Sequence, residues 1–232
     1  MNPVASWFCK IFLKPIVDWL LIKEVRGLKN IPKSPFILVS NHTSYLDVIV
    51  DGYLCVPRRF HFIGQIDGWK GIMKWLIRTL YFVSGVIPLD RQSDESRENA
   101  LKEAIRVLKK GNILVLYPEG RRSANGELQE GKLGAAKIFL KTRVPILPVG
   151  LKGTFELFPP QGKLKIKRIV EIDIGQPLFF NEEFNLAQNL VEELRSSPAS
   201  AKSSASGNSP EYQQILGKIT EKIMEKIEQL TV

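Results

Sequence analysis

Apolar and polar positions along the chain form two kinds of pattern, short apolar runs and longer stretches with helical spacing. Apolar runs bounded by turn residues predict strands, and they lie at residues 36–40, 60–65, 85–89, 113–117 and 145–151. Apolar residues at three- and four-residue spacing predict helices at 44–55, 69–83, 94–110 and 130–143. The alternation of the two predicts an α/β fold, a sheet covered by helices.

The remaining segments extend this domain at both ends. Residues 163–174 alternate apolar and charged side chains, which predicts a further, half-exposed strand pair. Residues 196–210 are rich in Ser and Ala and predict a flexible linker. Residues 211–232 have an apolar stripe typical of an amphipathic helix, which we expect to pack against the domain. The predicted organisation is thus a helical N-terminal segment (1–26), an α/β domain (27–195), a linker and a terminal helix.

The N-terminal segment is apolar on most sides, with Lys10, Lys14 and Asp18 forming a narrow polar stripe. One interpretation is a core helix; the other is a helix that lies in a membrane interface. Trp7 and Trp19 favour the second, because tryptophan suits the membrane–water boundary. No stretch reaches the roughly 18 apolar residues that span a bilayer.

Residues 69–83 pose the same choice. Lys70, Lys74 and Arg78 fall within one arc of a helix, opposite aliphatic and aromatic side chains. Such a basic amphipathic helix suits a surface of anionic lipid. A helix packed on the core with solvated lysines explains the spacing equally well.

Composition narrows the class of partner. The net charge is +9 and the pI is near 9.5, which indicates a polyanionic partner such as an anionic membrane, a phosphorylated substrate or nucleic acid. There is no aromatic and basic RNA-binding signature and no zinc-finger spacing, so we expect no nucleic acid partner. Two cysteines and two histidines exclude a disulfide framework and predict no structural metal site.

One histidine lies where chemistry is expected. His42 follows the apolar run 36–40, and Asp47 follows it five residues later. Histidine is suited to moving a proton near neutral pH. Asp47 could orient the imidazole if His42 lies in a loop, or it could merely cap a helix as the partner of Ser44 in a capping box. Spacing alone leaves both interpretations open.

Two further clusters follow predicted strands. The first is Glu119 and Gly120 with Arg121 and Arg122, after residues 113–117. The second ends in Arg91, after residues 85–89. A single arginine is most often a solvated surface charge, but guanidinium groups also bind phosphate in a bidentate manner. Because strand ends converge in open α/β sheets, these clusters are expected near His42.

Four blocks resemble, in order, the motifs of glycerolipid acyltransferases, and most closely the 1-acyl-glycerol-3-phosphate acyltransferase family. They are Asn41-His42 with Asp47, Gly85 with Asp90-Arg91, Tyr117-Pro118-Glu119-Gly120 with Arg122-Ser123, and residues 144–149. The resemblance covers about residues 27–175 and implies a mixed sheet covered by helices. Arg121 stands where the family commonly has threonine, and Tyr117 where it has phenylalanine. The extra cation either tightens phosphate binding or faces solvent.

The resemblance implies transfer of a fatty acyl group from a thioester to the sn-2 hydroxyl of 1-acyl-glycerol 3-phosphate, which gives phosphatidic acid. His42 would be the general base and Asp47 the residue that orients and charge-stabilises it. Arg91, Glu119, Gly120 and Arg122 match positions that bind the glycerol phosphate. The co-substrate would be acyl-CoA or acyl carrier protein, with no other cofactor.

The resemblance also implies peripheral or monotopic association with an anionic membrane, at the cytoplasmic face. Trp7, Trp19, Lys70, Lys74 and Arg78 are the expected contact residues. Two alternatives remain: an acyltransferase of the same fold with another acceptor, such as glycerol 3-phosphate or another lysolipid, or a non-catalytic membrane-binding protein. His61 matches no motif and is expected to be structural.

Overall fold

A computed structural model describes residues 3–65, 85–196 and 209–232. Within these residues seven strands form one sheet. They are β1 Ile22–Arg26, β2 Ile37–Ser40, β3 Phe60–Gln65, β4 Ile87–Leu89, β5 Ile113–Leu116, β6 Ile146–Lys152 and β7 Val170–Ile174. Their order is β1-β7-β6-β2-β5-β3-β4. The five strands from β6 to β4 are parallel, whereas β7 is antiparallel to β6 and pairs in parallel with β1. The sheet is therefore mixed, as expected.

The described helices flank this sheet. They are α1 Pro3–Phe8, a π-helical turn Cys9–Leu13, α2 Lys14–Leu20, α3 Asp47–Cys55, α4 Asp94–Lys109, α5 Gly134–Thr142, α6 Thr154–Leu157, α7 Asn181–Ser196 and α8 Pro210–Thr231, with a short 3-10 turn at Leu28–Asn30. The linker and the predicted helix at 69–83, with Lys70, Lys74 and Arg78, lie outside the described residues.

Both faces of the sheet are buried under helices. Because successive side chains of a strand point to opposite faces, neighbouring residues of one strand enter different cores. In β2, Ile37 and Val39 join a core formed with α4, α5 and α8. Leu38 lies in a second core, which includes α3 and the residues just after α2. The continuous apolar run of β2 is thus explained by a strand covered on both sides.

The C-terminal helix packs on the domain, as predicted. Leu216, Ile219, Ile223 and Ile227 of α8 are all fully buried. A Cβ atom on Gly150 would lie 2.4 Å from the carbonyl oxygen of Leu230, so the glycine lets the helix lie directly on β6. Residues 211–232 are therefore part of the same core as the sheet.

Three expectations about elements were wrong. Residues 22–26, included in the N-terminal helical segment, form edge strand β1. Residues 163–169 form no strand, so only β7 remains of the predicted pair. Helix α3 begins at Asp47 and α5 at Gly134, later than predicted, because the residues before them form the loops of the site. Helix α7 was not predicted.

Candidate active site

The predicted motif residues meet at the carboxyl end of the parallel strands. His42 lies just beyond the carboxyl end of β2, Glu119 just beyond β5, and Arg91 just beyond β4. These strands are parallel neighbours or near neighbours, so their carboxyl ends face the same side. The three motifs therefore converge as expected.

His42 and Asp47 form a buried pair. The imidazole Nδ1 lies 2.8 Å from Asp47 Oδ2. The His42 side chain is 10% exposed and that of Asp47 is fully buried. His42 lies in the loop before α3, and Asp47 is the first residue of that helix. Because the helix begins only at Asp47, the chain before it can bend so that these two side chains, five residues apart, meet.

Asp47 also organises the loop that carries the histidine. Its Oδ2 accepts the backbone N–H groups of Thr43 and Ser44, each at 2.8 Å. The bond from Ser44 N is half of the predicted capping box, but the Ser44 hydroxyl accepts from Leu46 N instead of completing it. One carboxylate oxygen thus holds the loop backbone and faces the imidazole, so the capping and orienting interpretations describe the same contact set.

The loop after β5 holds the backbone of His42 from both sides. Glu119 Oε1 accepts the His42 N–H at 2.7 Å, and Ser123 N–H donates to the His42 carbonyl at 2.7 Å. Glu119 Oε2 accepts from Gln129 N at 2.9 Å. Burial raises the Glu119 pKa to about 7, against these two hydrogen bonds, which lower it. Both carboxylate oxygens therefore position backbone, and a substrate-binding role for Glu119 stays a prediction.

Asn41 fixes the start of the loop that carries His42, residues 41–46, the catalytic loop. Its amide nitrogen donates to the Leu151 carbonyl at 2.9 Å, and its amide oxygen accepts from Leu151 N at 2.8 Å. The side chain thereby continues the pairing of β2 with β6 by one step. The motif's asparagine is a structural anchor in this arrangement.

A second layer lies beneath the pair. The Tyr117 ring stacks on the imidazole of His42, with centroids 3.8 Å apart and planes 9° from parallel. Asp51, one turn after Asp47, is fully buried and accepts a hydrogen bond from Ser40 Oγ at 2.8 Å. Burial raises the Asp51 pKa to about 8, with a further contribution from the charge of Asp47. At neutral pH Asp51 is therefore largely a neutral acid.

The Tyr117 hydroxyl and Asp51 Oδ1 are both buried. Within the described residues neither has a partner in hydrogen-bond geometry. Burial and then the Asp51 charge raise the Tyr117 pKa, so the two groups are neighbours even though their geometry falls short of a hydrogen bond. None of these contacts was predicted, because Asp51 and Ser40 belong to no motif, and the motif position of Tyr117 does not reveal what its ring contacts.

Cationic groups surround the loop after β5. Arg91 Nη1 donates to the Gly120 carbonyl at 2.6 Å. Gly120 has a φ of +69°, a conformation that favours glycine. Arg122 is exposed, and its guanidinium lies 4.0 Å from the centre of the Tyr45 ring. Lys132, which sequence reasoning missed, places Nζ 3.1 Å from where a Cβ of Gly120 would lie. These cations can provide charge and donors for a phosphate.

The N-terminal segment exposes its apolar side chains and turns Lys14 and Asp18 of its polar stripe to α3, whereas Lys10 is exposed. Lys14 Nζ donates to the Tyr53 carbonyl, and the Tyr53 hydroxyl donates to Asp18. Trp7 is 53% and Trp19 74% exposed, and large apolar neighbours are exposed at Phe8, Ile11, Phe12, Leu13 and Ile16. The core-helix interpretation is therefore wrong. In the described part of the chain, no helix is long and apolar enough to cross a membrane.

Comparison with known proteins by sequence gives matches to a family model and to individual relatives. The family model described as Acyltransferase matches residues 23–152. A chloroplastic 1-acyl-sn-glycerol-3-phosphate acyltransferase of Brassica napus is 34% identical over 143 residues, 59% of this chain and 39% of that protein. A 1-acyl-sn-glycerol-3-phosphate acyltransferase of Bacillus subtilis is 28% identical over 173 residues, 74% of this chain and 81% of that protein.

The fold has a solved counterpart. The crystal structure of the 1-acyl-sn-glycerophosphate acyltransferase PlsC from Thermotoga maritima has a TM-score of 0.61 and 24% identity, covering 96% of this chain and 79% of that one. With the Brassica napus protein and one from Arabidopsis thaliana, the matches span only 39% and 37% of the relatives' lengths. The family model covers more than half of this chain and includes all four motifs. The chain belongs to the acyltransferase family.

Proposed function

We propose that the protein is an O-acyltransferase that moves a fatty acyl group from an acyl thioester to the sn-2 hydroxyl of 1-acyl-glycerol 3-phosphate, producing phosphatidic acid. The observation that carries this proposal is the buried pair of His42 and Asp47, 2.8 Å apart, at the edge of the sheet where Arg91 and Arg122 also lie. The names of the relatives support the choice of acceptor.

The chemistry follows from the orientation of the imidazole. Nδ1 faces Asp47, so Nδ1 carries the hydrogen and Nε2 is the basic nitrogen. Nε2 takes the proton of the acceptor hydroxyl as its oxygen attacks the thioester carbonyl. Collapse of the tetrahedral intermediate expels the thiol, which leaves with the proton returned by Nε2–H. The Asp47 charge stabilises the imidazolium in between, and no acyl-enzyme forms.

Phosphate recognition falls to the cations beside this pair. Arg122, exposed over Tyr45, has a guanidinium that can bind a phosphate in a bidentate manner. Arg91 holds the Gly120 carbonyl and adds positive charge to the same loop. Lys132 adds a third cation. A phosphate held here would bring the glycerol of the acceptor toward His42.

Membrane association follows from the substrate and from the N-terminal segment. The acceptor and the product are lipids, and the exposed apolar side chains of α1 and α2 have the character of a segment that lies in a bilayer interface. We propose peripheral or monotopic association with the cytoplasmic face, where acyl-CoA or acyl carrier protein supplies the acyl group. Lys70, Lys74 and Arg78 stay predicted contacts.

The test is a lipid-product assay with both donors and a panel of acceptors: 1-acyl-glycerol 3-phosphate, glycerol 3-phosphate and neutral-headgroup lysolipids. The proposal expects phosphatidic acid as the main product, and expects His42→Ala to abolish transfer while vesicle binding persists. Transfer unchanged by His42→Ala would contradict the mechanism. A preference for glycerol 3-phosphate or a neutral lysolipid would contradict the proposal that 1-acyl-glycerol 3-phosphate is the acceptor.

A further inference from the structure

The loop after α6 carries a pattern that neither the fold nor the catalytic site explains. Residues 163–168, the basic loop, read Lys163-Leu164-Lys165-Ile166-Lys167-Arg168. Their alternation predicts a strand, yet they pair with no strand in the structure. No acidic residue occurs between Glu156 and Glu171. The alternation therefore needs a reason other than sheet formation.

The whole loop is exposed, including its aliphatic side chains. Leu164 is 52% and Ile166 62% exposed, which is as much as the aromatic side chains of the N-terminal segment. Among the described residues no carboxylate forms an ion pair with Lys163, Lys165 or Lys167. Two aliphatic side chains set among unneutralised cations form a surface that is both apolar and strongly positive.

Contacts tie the two ends of this region to the site and to the N-terminal segment. Just before the loop, the Phe158 carbonyl accepts from Ser44 Oγ and Tyr45 N, and its ring lies 4.9 Å from the Tyr45 ring. At its other end, Arg168 Nε donates to the Ile22 carbonyl at 2.7 Å, two residues after α2. The basic loop therefore lies between a contact to the loop that carries His42 and a contact to the chain just after α2.

We propose that the basic loop is a second membrane-contact surface, in which the lysines bind the phosphate headgroups of anionic phospholipids and Leu164 and Ile166 insert among the acyl chains. Cations near an anionic bilayer contribute attraction that is additive and salt-dependent. An acidic protein such as an acyl carrier protein would match the charge equally well. The interleaved aliphatic side chains and the continuity with the exposed N-terminal helices favour the lipid surface.

Membrane contact by the basic loop would add to the contact proposed for the N-terminal segment. The variants below change only the basic loop, so they measure its contribution separately. The charge variant is Lys163→Gln with Lys165→Gln and Lys167→Gln; the apolar variant is Leu164→Ser with Ile166→Ser. A matched control, Lys109→Gln with Lys110→Gln and Lys137→Gln, removes the same charge from exposed positions on or just after α4 and on α5, which cover the opposite face of the sheet. Binding is measured by flotation with phosphatidylcholine vesicles, with and without phosphatidylglycerol.

The charge variant is expected to bind phosphatidylglycerol vesicles at least about tenfold more weakly, with a smaller dependence on salt, while the control binds as the unchanged protein does. The apolar variant is expected to lose binding to both kinds of vesicle. Both are expected to keep acyl transfer to acceptor dispersed in detergent, since neither touches His42. Unchanged vesicle binding by both variants would overturn the proposal while leaving the enzymatic one intact.

The carrier-protein alternative has its own signature. If the charge variant binds vesicles normally but loses transfer from acyl carrier protein in detergent, with transfer from acyl-CoA retained, the loop is a donor-docking surface and the lipid proposal is wrong. If the charge variant and the control lose vesicle binding equally, the effect is one of net charge, and the lipid proposal is again wrong.

Discussion

At the scale of single residues, the two interpretations of Asp47 can be separated by substitution. Asp47→Asn keeps an oxygen that can accept from Thr43 N and Ser44 N, but it removes the charge facing His42. Because Asn keeps the acceptor for the loop backbone but places an amide N–H where the buried Oδ1 has no partner, we expect the free energy of unfolding to fall by about 1–3 kcal/mol. We expect kcat to fall by a factor on the order of 10³, because the imidazolium loses its counter-charge.

Initial rates and urea unfolding of the purified variant measure the two effects. Asp47→Ala serves as the comparison, since it removes both the cap and the charge and is expected to lower both stability and kcat. If Asp47→Asn retained most of the activity, Asp47 would be a cap alone.

Asp51 gives a prediction about stability and pH. Its pKa is about 8 in the folded protein, raised by burial from an ordinary value of 3.8. Between these values the folded chain holds a proton that the unfolded chain has released, so this group makes the free energy of unfolding fall as pH rises, by up to about 1.4 kcal/mol per pH unit. Asp51→Asn cannot titrate and still accepts from Ser40 Oγ.

The difference in unfolding free energy, Asp51→Asn minus the unchanged protein, is therefore expected to increase from about pH 5 to about pH 7. Chemical denaturation at several pH values measures it. The control is Asp94→Asn, because the side chain of Asp94 is 97% exposed and should not alter the pH dependence. A difference that is flat with pH would mean that Asp51 ionises freely in the folded state.

The sequence predicts a site residue when its role depends on neighbours along the chain, and misses it when the role depends on contacts distant in sequence. His42, Asp47 and Glu119 stand at the ends of apolar runs, so motif spacing finds them. Asp51 becomes significant only because α3 turns it inward beneath Tyr117, and Lys132 because the chain returns to Gly120. Such long-range approaches leave no periodic signal. For Glu119, the motif position does not reveal that both carboxylate oxygens hold backbone N–H groups.

At the scale of elements, apolar runs buried on both faces were the most readily predicted. The strands β2 and β5 are such runs, whereas β1 was missed because Ile22–Arg26 is an edge strand with three charged residues among five. Its partner is supplied by β7, nearly 150 residues further on, where Arg26 pairs with Asp173. In the basic loop the period of two indicated a strand, but among the described residues no partner strand pairs with it.

The terminal helix α8 yields a prediction at the same scale. Ile223 is fully buried between α8 and the sheet, and it shares its core with α4 and α5. Ile223→Ala is expected to lower the free energy of unfolding by about 2–5 kcal/mol, through lost burial and the cavity left behind. Glu221→Ala, at an exposed position on the same helix, should change it by less than about 0.5 kcal/mol. If the two variants unfolded alike, α8 would be an independent appendage.

At the scale of the whole molecule, the net charge of +9 predicts a polyanionic partner but not where it binds. The structure locates two exposed surfaces with different character. The N-terminal segment is apolar, with Lys14 and Asp18 of its polar stripe bound to α3, and the basic loop combines lysines with aliphatic side chains. Phe158, five residues before the basic loop, accepts from Ser44 in the loop that carries His42, and Arg168 donates to Ile22 just after α2.

Removal of the N-terminal segment tests its share of the membrane contact, and the position of the cut decides what is tested. A chain that begins at Gly27 would lose β1 and its pairing with β7, so lost binding would be confounded with damage to the sheet. Trp7→Ser with Phe12→Ser and Trp19→Ser changes only side chains that are more than half exposed. We expect this variant to bind vesicles at least about tenfold more weakly, since each large apolar side chain withdrawn from a bilayer forfeits about 1.5–3 kcal/mol at full burial.

The matched control is Phe179→Ser with Leu186→Ser, which removes apolar side chains that are 61% and 57% exposed, at positions just before and within α7. Flotation with vesicles measures binding, and transfer to acceptor in detergent measures the integrity of the site. Weak flotation with normal transfer assigns the segment to membrane docking. Equal flotation of the variant and the control would mean that the aromatic side chains of the N-terminal segment have no specific part in membrane binding, because removing exposed apolar side chains elsewhere would then have the same effect.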